Sequence, residues 1–138
     1  MKKTILILLP FVLLTGCADK NNYEEAVLKQ MKTEKDVADY HIDPQHMTDC
    51  VVDLSTKEMP GLFPADPYRM KAYRDYTQML TLSESKDPKQ TLENLRKDFG
   101  SAEKLAKAHA NYTESVMNCF AAIIMESEGK EEEKSEQK

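Results

Sequence analysis

The sequence predicts an all-α fold, a small bundle of about five helices that is pinned by one disulfide and followed by a disordered, charged C-terminal tail. Apolar residues recur every three or four positions in several segments, as on one face of a helix. No stretch alternates with the period of two that a convincing strand requires. After residue 17, the glycines and prolines all fall between the periodic segments and therefore mark the boundaries of helices.

Three aspartate-proline pairs predict helix starts. Aspartate at the N-cap accepts a hydrogen bond from a free backbone N–H, and proline at the next position has a preset φ and no N–H to leave unsatisfied. The pairs are Asp43-Pro44, Asp66-Pro67 and Asp87-Pro88. Helices are therefore expected from Pro44 to about Glu58, from Pro67 to about Leu82 and from Pro88 to Phe99.

Two further helices complete the expected bundle. The first begins after Asn22, with Glu25 as its capping-box partner, and is interrupted at residues 32–36, where Thr33 can cap a second piece. The last is capped by Ser101 and is the longest and most regular, so it is expected to be the central strut. Its predicted buried seam is Ala102, Leu105, His109, Tyr112, Val116, Cys119, Phe120 and Ile123.

The residues at the start of the chain indicate export and a lipid anchor. Two lysines and an apolar run precede Leu14-Thr15-Gly16-Cys17, which resembles the lipobox of bacterial lipoproteins. The run at residues 5–14 is roughly half the length of a membrane span, so it is typical of a signal peptide. The resemblance implies that a diacylglycerol is joined to the Cys17 thiol, that the leader is cut before Cys17 and that the new amino terminus is acylated.

The same resemblance predicts where the protein resides. Two or more acyl chains give stable attachment to a bilayer, so no spanning helix is needed. Ala18 occupies the position at which aspartate signals retention in the inner membrane of Gram-negative bacteria, so the expected location is the outer membrane, facing the periplasm. The expected parts are a signal peptide (residues 1–16), a lipidated tether (17–21), the helical domain (22–125) and the tail (126–138).

The remaining cysteines indicate one disulfide. With Cys17 lipidated, Cys50 and Cys119 form an even pair in an exported protein. The alternative is that they are two small, buried, apolar residues.

Loss of the leader removes two of the 19 Lys and Arg residues and none of the 24 Asp and Glu residues, so the mature charge is −7. This charge disfavours nucleic acid as a partner.

Little in the sequence indicates chemistry. His41, Asp43, His46 and Asp49 surround a helix start and could be considered as metal ligands, but Asp43 is needed as the N-cap and a solvated helix start is the favoured interpretation. His109 is more typical of a hydrogen-bonded core histidine than of a catalyst. No nucleophile motif, phosphate-binding loop or zinc motif is present. The sequence therefore predicts no metal, no cofactor and no enzymatic activity.

The helix that starts at Pro67 could carry an interface, but a core role for two of its tyrosines is the favoured interpretation. Tyr68, Tyr73, Tyr76, Arg69 and Arg74 are of types enriched in protein interfaces, and Tyr68 and Arg69 are the candidate contact residues. The alternative places Tyr73 and Tyr76 in the core beside ordinary solvated arginines.

Two functional classes remain. The first is an accessory lipoprotein that binds a protein of the cell envelope or periplasm while its acyl chains hold it to the bilayer. The second is an immunity protein or inhibitor that neutralises a toxic or lytic enzyme. A neighbouring toxin gene would favour the second class, and neighbouring genes for envelope or secretion machinery would favour the first.

Overall fold

We describe the fold from a computed structural model, which covers the backbone of residues 15–136 and the side chains of residues 18–129. This part of the chain contains no strand, so the all-α prediction is confirmed. Most of the predicted leader, residues 1–14, lies outside the described residues. The helices are α1 (Thr15–Thr33), α2 (Lys35–Asp39), α3 (Pro44–Lys57), α4 (Pro67–Leu80), α5 (Pro88–Asp98) and α6 (Ala102–Glu136), with a 3₁₀ turn at Leu82–Glu84.

The predicted helix starts of α3, α4 and α5 are confirmed. Each N-cap carboxylate accepts a hydrogen bond from a backbone N–H, at 3.1 Å for Asp43, 2.8 Å for Asp66 and 2.9 Å for Asp87. The start of α6 also agrees with the sequence, since the Ser101 hydroxyl accepts a bond of 3.1 Å from the third amide that follows it. Gly100 ends the preceding turn with a φ of 90°, as expected for a left-handed C′ residue.

The predicted start of the first helix is wrong. α1 begins at Thr15 rather than after Asn22, so the backbone of the expected tether at residues 17–21 is helical. A tertiary contact favours this earlier start, because Arg74 of α4 donates a hydrogen bond of 2.5 Å to Asp19. The interruption near residue 33 is confirmed, but the Thr33 hydroxyl donates back to carbonyls of α1 and does not cap α2.

α1 and α3 form the centre of the bundle, so the prediction that the last helix is the central strut is also wrong. α1 packs against both α3 and α4, and α3 packs against α6, which lies on the outer side of the bundle. α5 bridges α4 and α6. Tyr23, Val27 and Met31 of α1 are at most 2% exposed, so the first helix has a more deeply buried face than the last.

Side-chain contacts fix the directions of the helices. Tyr23, early in α1, bonds Ser55, late in α3, so these two helices are antiparallel. α3 and α6 are also antiparallel, because Cys50 is joined to Cys119 whereas the later residue Ser55 is bonded by the earlier residue Asn111. One end of the bundle therefore contains the start of α1, the end of α3 and the start of α6. We call it the proximal end, and the opposite end the distal end.

The predicted disulfide is present. Cys50 and Cys119 are bonded, with their Cα atoms 5.8 Å apart. Cys119 is fully buried and Cys50 is half-buried, so the bridge lies at the inner face of α6. It connects α3 to the outermost long helix of the bundle.

The buried face of α6 agrees with most of the predicted seam, since Tyr112 and Cys119 are buried and Val116, Phe120 and Ile123 pack against the core. Two further buried residues of α6, Ala108 and Ser115, lie outside that seam. His109 and Ala102 are exposed, so the expectation of a core histidine is wrong. Helical geometry continues through the predicted tail as far as Glu136, and the side chains of residues 125–129 are exposed, so this segment extends beyond the bundle as helix.

Candidate interaction groove

An open groove of about 900 Å³ separates α4 from α6. These two helices make almost no direct contact, because α3 lies beneath them and α5 joins them at one side. Small side chains line this part of both helices, including Ala72 of α4 and Ala108 and Ala110 of α6. Since these side chains are too short to fill the space between two helices, the cleft stays open to solvent.

The floor of the groove combines apolar and polar groups. Leu54 and Phe99, both half-buried, supply apolar surface. The Asn111 amide nitrogen donates to the backbone carbonyl of Ser55 and to the Tyr76 hydroxyl, both at 3.0 Å. Asn111 therefore fixes α6 to both α3 and α4 and holds the groove at a set width.

A tyrosine cluster supports this floor from below. The Tyr23 ring stacks on Tyr73 and meets Tyr76 edge-on, with both centroid distances 5.8 Å. The Tyr23 hydroxyl shares a 2.7 Å hydrogen bond with Ser55. Burial raises the pKa of Tyr23 and of Tyr76 above the ordinary value, so both are neutral phenols at physiological pH. Tyr73 and Tyr76 are 1% and 4% exposed and belong to the core, as the alternative interpretation held.

Charged side chains of both signs stand around the rim. Lys71 of α4 donates to Asp75 at 2.6 Å and to the carbonyl of Asp98 at 2.9 Å, which ties α4 to the end of α5. Burial raises the pKa of Asp75, and the neighbouring Lys71 partly opposes that rise. The lining contains four lysines and four carboxylates: Lys57, Lys71, Lys104, Lys107, Glu58, Asp75, Asp98 and Glu114. The rim is thus mixed in charge.

The loop between α3 and α4, residues 58–66, closes the proximal end of the groove. The Asp66 carboxylate accepts hydrogen bonds from the amides of Leu62 and Tyr68, which lower the pKa of Asp66. The Arg69 guanidinium donates to the carbonyl of Gly61 at 2.6 Å and to that of Thr56. The two terminal nitrogens of this guanidinium therefore tie the loop to the last turn of α3.

Gly61 is required for this arrangement. Its φ is 100°, and a Cβ at this position would lie 2.7 Å from the Cβ and the backbone nitrogen of Arg69. Both the left-handed backbone and the close approach of α4 therefore exclude a larger residue. Arg69 can reach the carbonyl of Gly61 because the loop passes directly over the backbone of Arg69.

The predicted interface residues have different roles. Tyr68 is 73% exposed and lines the mouth of the groove, so it remains a candidate contact residue. Arg69 is only partly exposed, and its guanidinium is engaged with the backbone carbonyls of Thr56 in α3 and Gly61 in the loop. We therefore correct its assignment from a contact residue to one that shapes the loop.

Sequence reasoning missed two exposed apolar residues on this loop. Leu62 is 94% exposed and Phe63 is 57% exposed. Their position between Gly61 and Pro64, in a predicted loop, was a usable signal, because large apolar side chains in a turn have no periodic face on which to be buried. Sequence reasoning also missed Asn111, whose role depends on a hydrogen bond to Ser55, 56 residues away in the sequence.

The residues considered as metal ligands occupy the opposite, distal end of the bundle, at the start of α3. Asp43 caps α3, and Asp49 accepts a 2.8 Å hydrogen bond from Gln45. His41 and His46 are exposed. Among the described side chains, no three His, Cys, Asp or Glu residues converge as they would around a metal ion.

No family model matches the chain, and no curated protein or solved structure is detectably similar to it. Within residues 15–136, no helix combines the length and apolar character needed to cross a bilayer. The function is therefore inferred from the chain's own residues.

Proposed function

We propose that this protein is a membrane-anchored periplasmic lipoprotein that binds, without catalysis, a segment of an envelope or periplasmic protein in the groove between α4 and α6. The observation that carries the proposal is the groove itself, which is open and already held at a set width by Asn111. A preformed groove loses little conformational entropy on binding, so more of the contact energy appears as affinity.

The composition of the groove suits a peptide ligand. Apolar surface at Leu54 and Phe99 can accept the apolar face of a helix or extended segment, and Tyr68 at the mouth offers a large amphipathic contact. The mixed charges of the rim favour a partner segment that carries both signs. Specificity would come from the pairing of those charges.

The groove offers poor support for catalysis. Ser115 is the one serine or threonine among its lining residues, and its hydroxyl donates to the Asn111 carbonyl at 2.8 Å. No histidine or cysteine belongs to that lining to act as its base or as an alternative nucleophile. The Lys71 ammonium is engaged by a carboxylate and a carbonyl. These observations support a binding role.

The lipid anchor rests on the lipobox at residues 14–17, and Cys17→Ser tests it. Metabolic labelling with a fatty-acid analogue should mark the native protein and leave the Cys17→Ser variant unlabelled, with its leader retained. Equal labelling of the two proteins would refute the assignment of the anchor.

Obstruction of the groove tests the binding role. Ala110 is exposed and lines the groove, whereas Ala106, one turn earlier on α6, is exposed and does not line it. Ala110→Trp should reduce crosslinking to the partner in intact cells several-fold, and Ala106→Trp should leave it unchanged. Both variants should retain the native circular dichroism spectrum, since neither alanine is buried.

The same experiment can refute the proposal. If Ala110→Trp captures its partner as well as the unmodified protein does, the interface lies outside the groove. Turnover of a substrate by the purified protein, lost when Ser115 is replaced with alanine, would instead indicate an enzyme.

An immunity protein or inhibitor is the second candidate. The observation that favours it is the rigidity of the groove and its loop, because inhibitors of enzymes commonly present preorganised surfaces. The identity of the crosslinked partner distinguishes the two roles. A lytic or toxic enzyme whose activity falls as this protein is added supports inhibition, and a structural envelope component supports the accessory role.

A further inference from the structure

The loop between α3 and α4 lies at the same end of the bundle as the start of α1. Lys20 and Glu24 of α1 line one shallow depression together with Pro64 of the loop and Arg69 of α4. The ion pair between Asp19 and Arg74 fixes the first turns of α1 to the adjoining part of α4. The loop is therefore a direct neighbour of the first turns of α1.

Cys17 belongs to those first turns. It lies three residues before Lys20 in continuous helix, a separation of about 4.5 Å along the helix axis. An acyl chain joined at this position would place the proximal end of the bundle against the head groups of the bilayer. The loop at residues 58–66 would then be on the side of the protein that faces the bilayer.

The tip of this loop has apolar side chains directed into solvent, although its backbone is firmly held. Leu62 is 94% exposed and Phe63 is 57% exposed, whereas Met59 at the base of the loop is buried. The carbonyl of Phe63 accepts a hydrogen bond of 3.0 Å from the Asp66 amide, and the Asp66 carboxylate accepts one from the Leu62 amide. A loop fixed in this way keeps both side chains outward, where water solvates them unfavourably.

We infer that the tip of this loop enters the interfacial region of the phospholipid bilayer beside the lipid anchor, so that Leu62 and Phe63 form a second membrane contact. This inference depends on the proposed acylation of Cys17. One anchor alone allows the bundle to tilt about its attachment point, whereas a second contact at the loop holds the bundle upright. The groove between α4 and α6 then has a fixed orientation relative to the membrane.

An intrinsic fluorescence probe can test this contact, because the chain contains no tryptophan. Phe63→Trp places a reporter at the loop tip without changing a backbone hydrogen bond, and Leu62→Trp is a second reporter at the most exposed position. The matched control is Met125→Trp, since Met125 is 71% exposed and lies near the distal end. Each variant, processed and acylated at Cys17 and otherwise complete, is reconstituted into phosphatidylethanolamine and phosphatidylglycerol vesicles with brominated acyl chains.

The expected result is a blue-shifted emission at position 63 and several-fold stronger quenching by the brominated lipids than at position 125. Flotation of the vesicles measures anchoring separately. If the protein floats but iodide in the aqueous phase quenches positions 62 and 63 as readily as position 125, the loop does not enter the bilayer, while the lipid anchor stands.

Two other results also overturn the inference. A protein that carries no acyl chain and does not float refutes the anchor, and the membrane contact is refuted with it. A reporter at position 63 that is exposed to iodide on vesicles but shielded in native envelope membranes would show that a protein covers the loop.

Discussion

Replacement of Tyr112 by phenylalanine should stabilise the protein, although it removes a polar group from the core. Tyr112 is 9% exposed, and its buried hydroxyl has no hydrogen-bond partner among the described residues. An unsatisfied buried hydroxyl costs about 1–3 kcal/mol of the free energy of unfolding. Its removal leaves the ring and its packing in place, so we expect Tyr112→Phe to gain about 1 kcal/mol.

The matched control is Tyr23→Phe. The Tyr23 hydroxyl bonds Ser55 at 2.7 Å, so its removal should destabilise the protein by about 1 kcal/mol. The two substitutions are chemically identical and should shift stability in opposite directions. Urea unfolding of the disulfide-bonded chain from Ala18 onward measures both, with expected changes in midpoint of about 0.5 M.

The pH dependence provides a second readout of Tyr112. Burial raises its pKa to about 12, whereas an exposed tyrosine in the unfolded chain ionises near pH 10. The unfolded state therefore loses its proton first, and stability that is fully present below pH 10 declines as the pH rises toward 12, by about 1.4 kcal/mol per pH unit. Tyr112→Phe should remove this contribution. A variant that is less stable than the unmodified protein at neutral pH and equally sensitive to alkali would refute the reasoning.

Three further substitutions have expected outcomes. Replacement of both Cys50 and Cys119 by serine should lower the free energy of unfolding by roughly 4 kcal/mol in the chain-entropy model, as measured by urea unfolding. Arg69→Ala should lower the free energy of unfolding by about 2 kcal/mol, because charge-assisted bonds to one carbonyl of the loop and one of α3 are lost, and should increase proteolysis within the loop. No change in either stability or proteolysis would show that the loop keeps its conformation without Arg69. Phe120→Ala should lower the free energy of unfolding by about 2 kcal/mol, and not by the 3–5 kcal/mol of a fully buried site, because Phe120 is half-buried and packs edge-on against Tyr40. Thermal melting measures the loss, and a loss of about 3–5 kcal/mol would contradict this prediction.

Local signals in the sequence were sufficient to locate most of the helices. The Asp43 carboxylate caps α3 by accepting a hydrogen bond from an amide two residues away, and Gly100 ends the turn after α5 through its own left-handed backbone. Neither feature depends on the tertiary structure. The cysteine pair was also predictable, since the expected export and the expected lipidation of Cys17 leave two cysteines to be paired. These features depend on the composition of short segments or on simple counting.

Tertiary contacts decided the features that the sequence did not predict. Asp19 appeared to belong to a flexible tether, but its partner Arg74 lies 55 residues away, and α1 extends to include it. Arg69 appeared to be a surface cation because nothing in the sequence indicates that the carbonyls of Thr56 and Gly61 need a donor. On α6, the buried positions Ala108 and Ser115 are small or polar, so a pattern of large apolar residues favoured His109 instead.

The candidate groove was the least predictable feature. Its existence depends on the absence of direct packing between α4 and α6, and that gap follows from the placement of α3 and α5. Of the predicted interface residues, Tyr68 and Tyr76 line it, and of these two only Tyr68 is exposed. A sequence pattern shows which face of a helix is apolar, but it does not show whether two helices meet.

The length of α6 has an electrostatic consequence. At 1.5 Å per residue, its 35 residues extend about 52 Å, whereas the 14 residues of its main neighbour α3 extend about 21 Å. Residues 126–136, in the part beyond the bundle, contain six acidic residues and two lysines, a net charge of −4. Since this segment leaves the bundle at the distal end, a molecule held to a bilayer at Cys17 presents its densest negative charge farthest from the lipid surface. Cationic proteins approaching through the aqueous compartment would encounter this field before any other part of the molecule, and their association rate should fall as ionic strength rises.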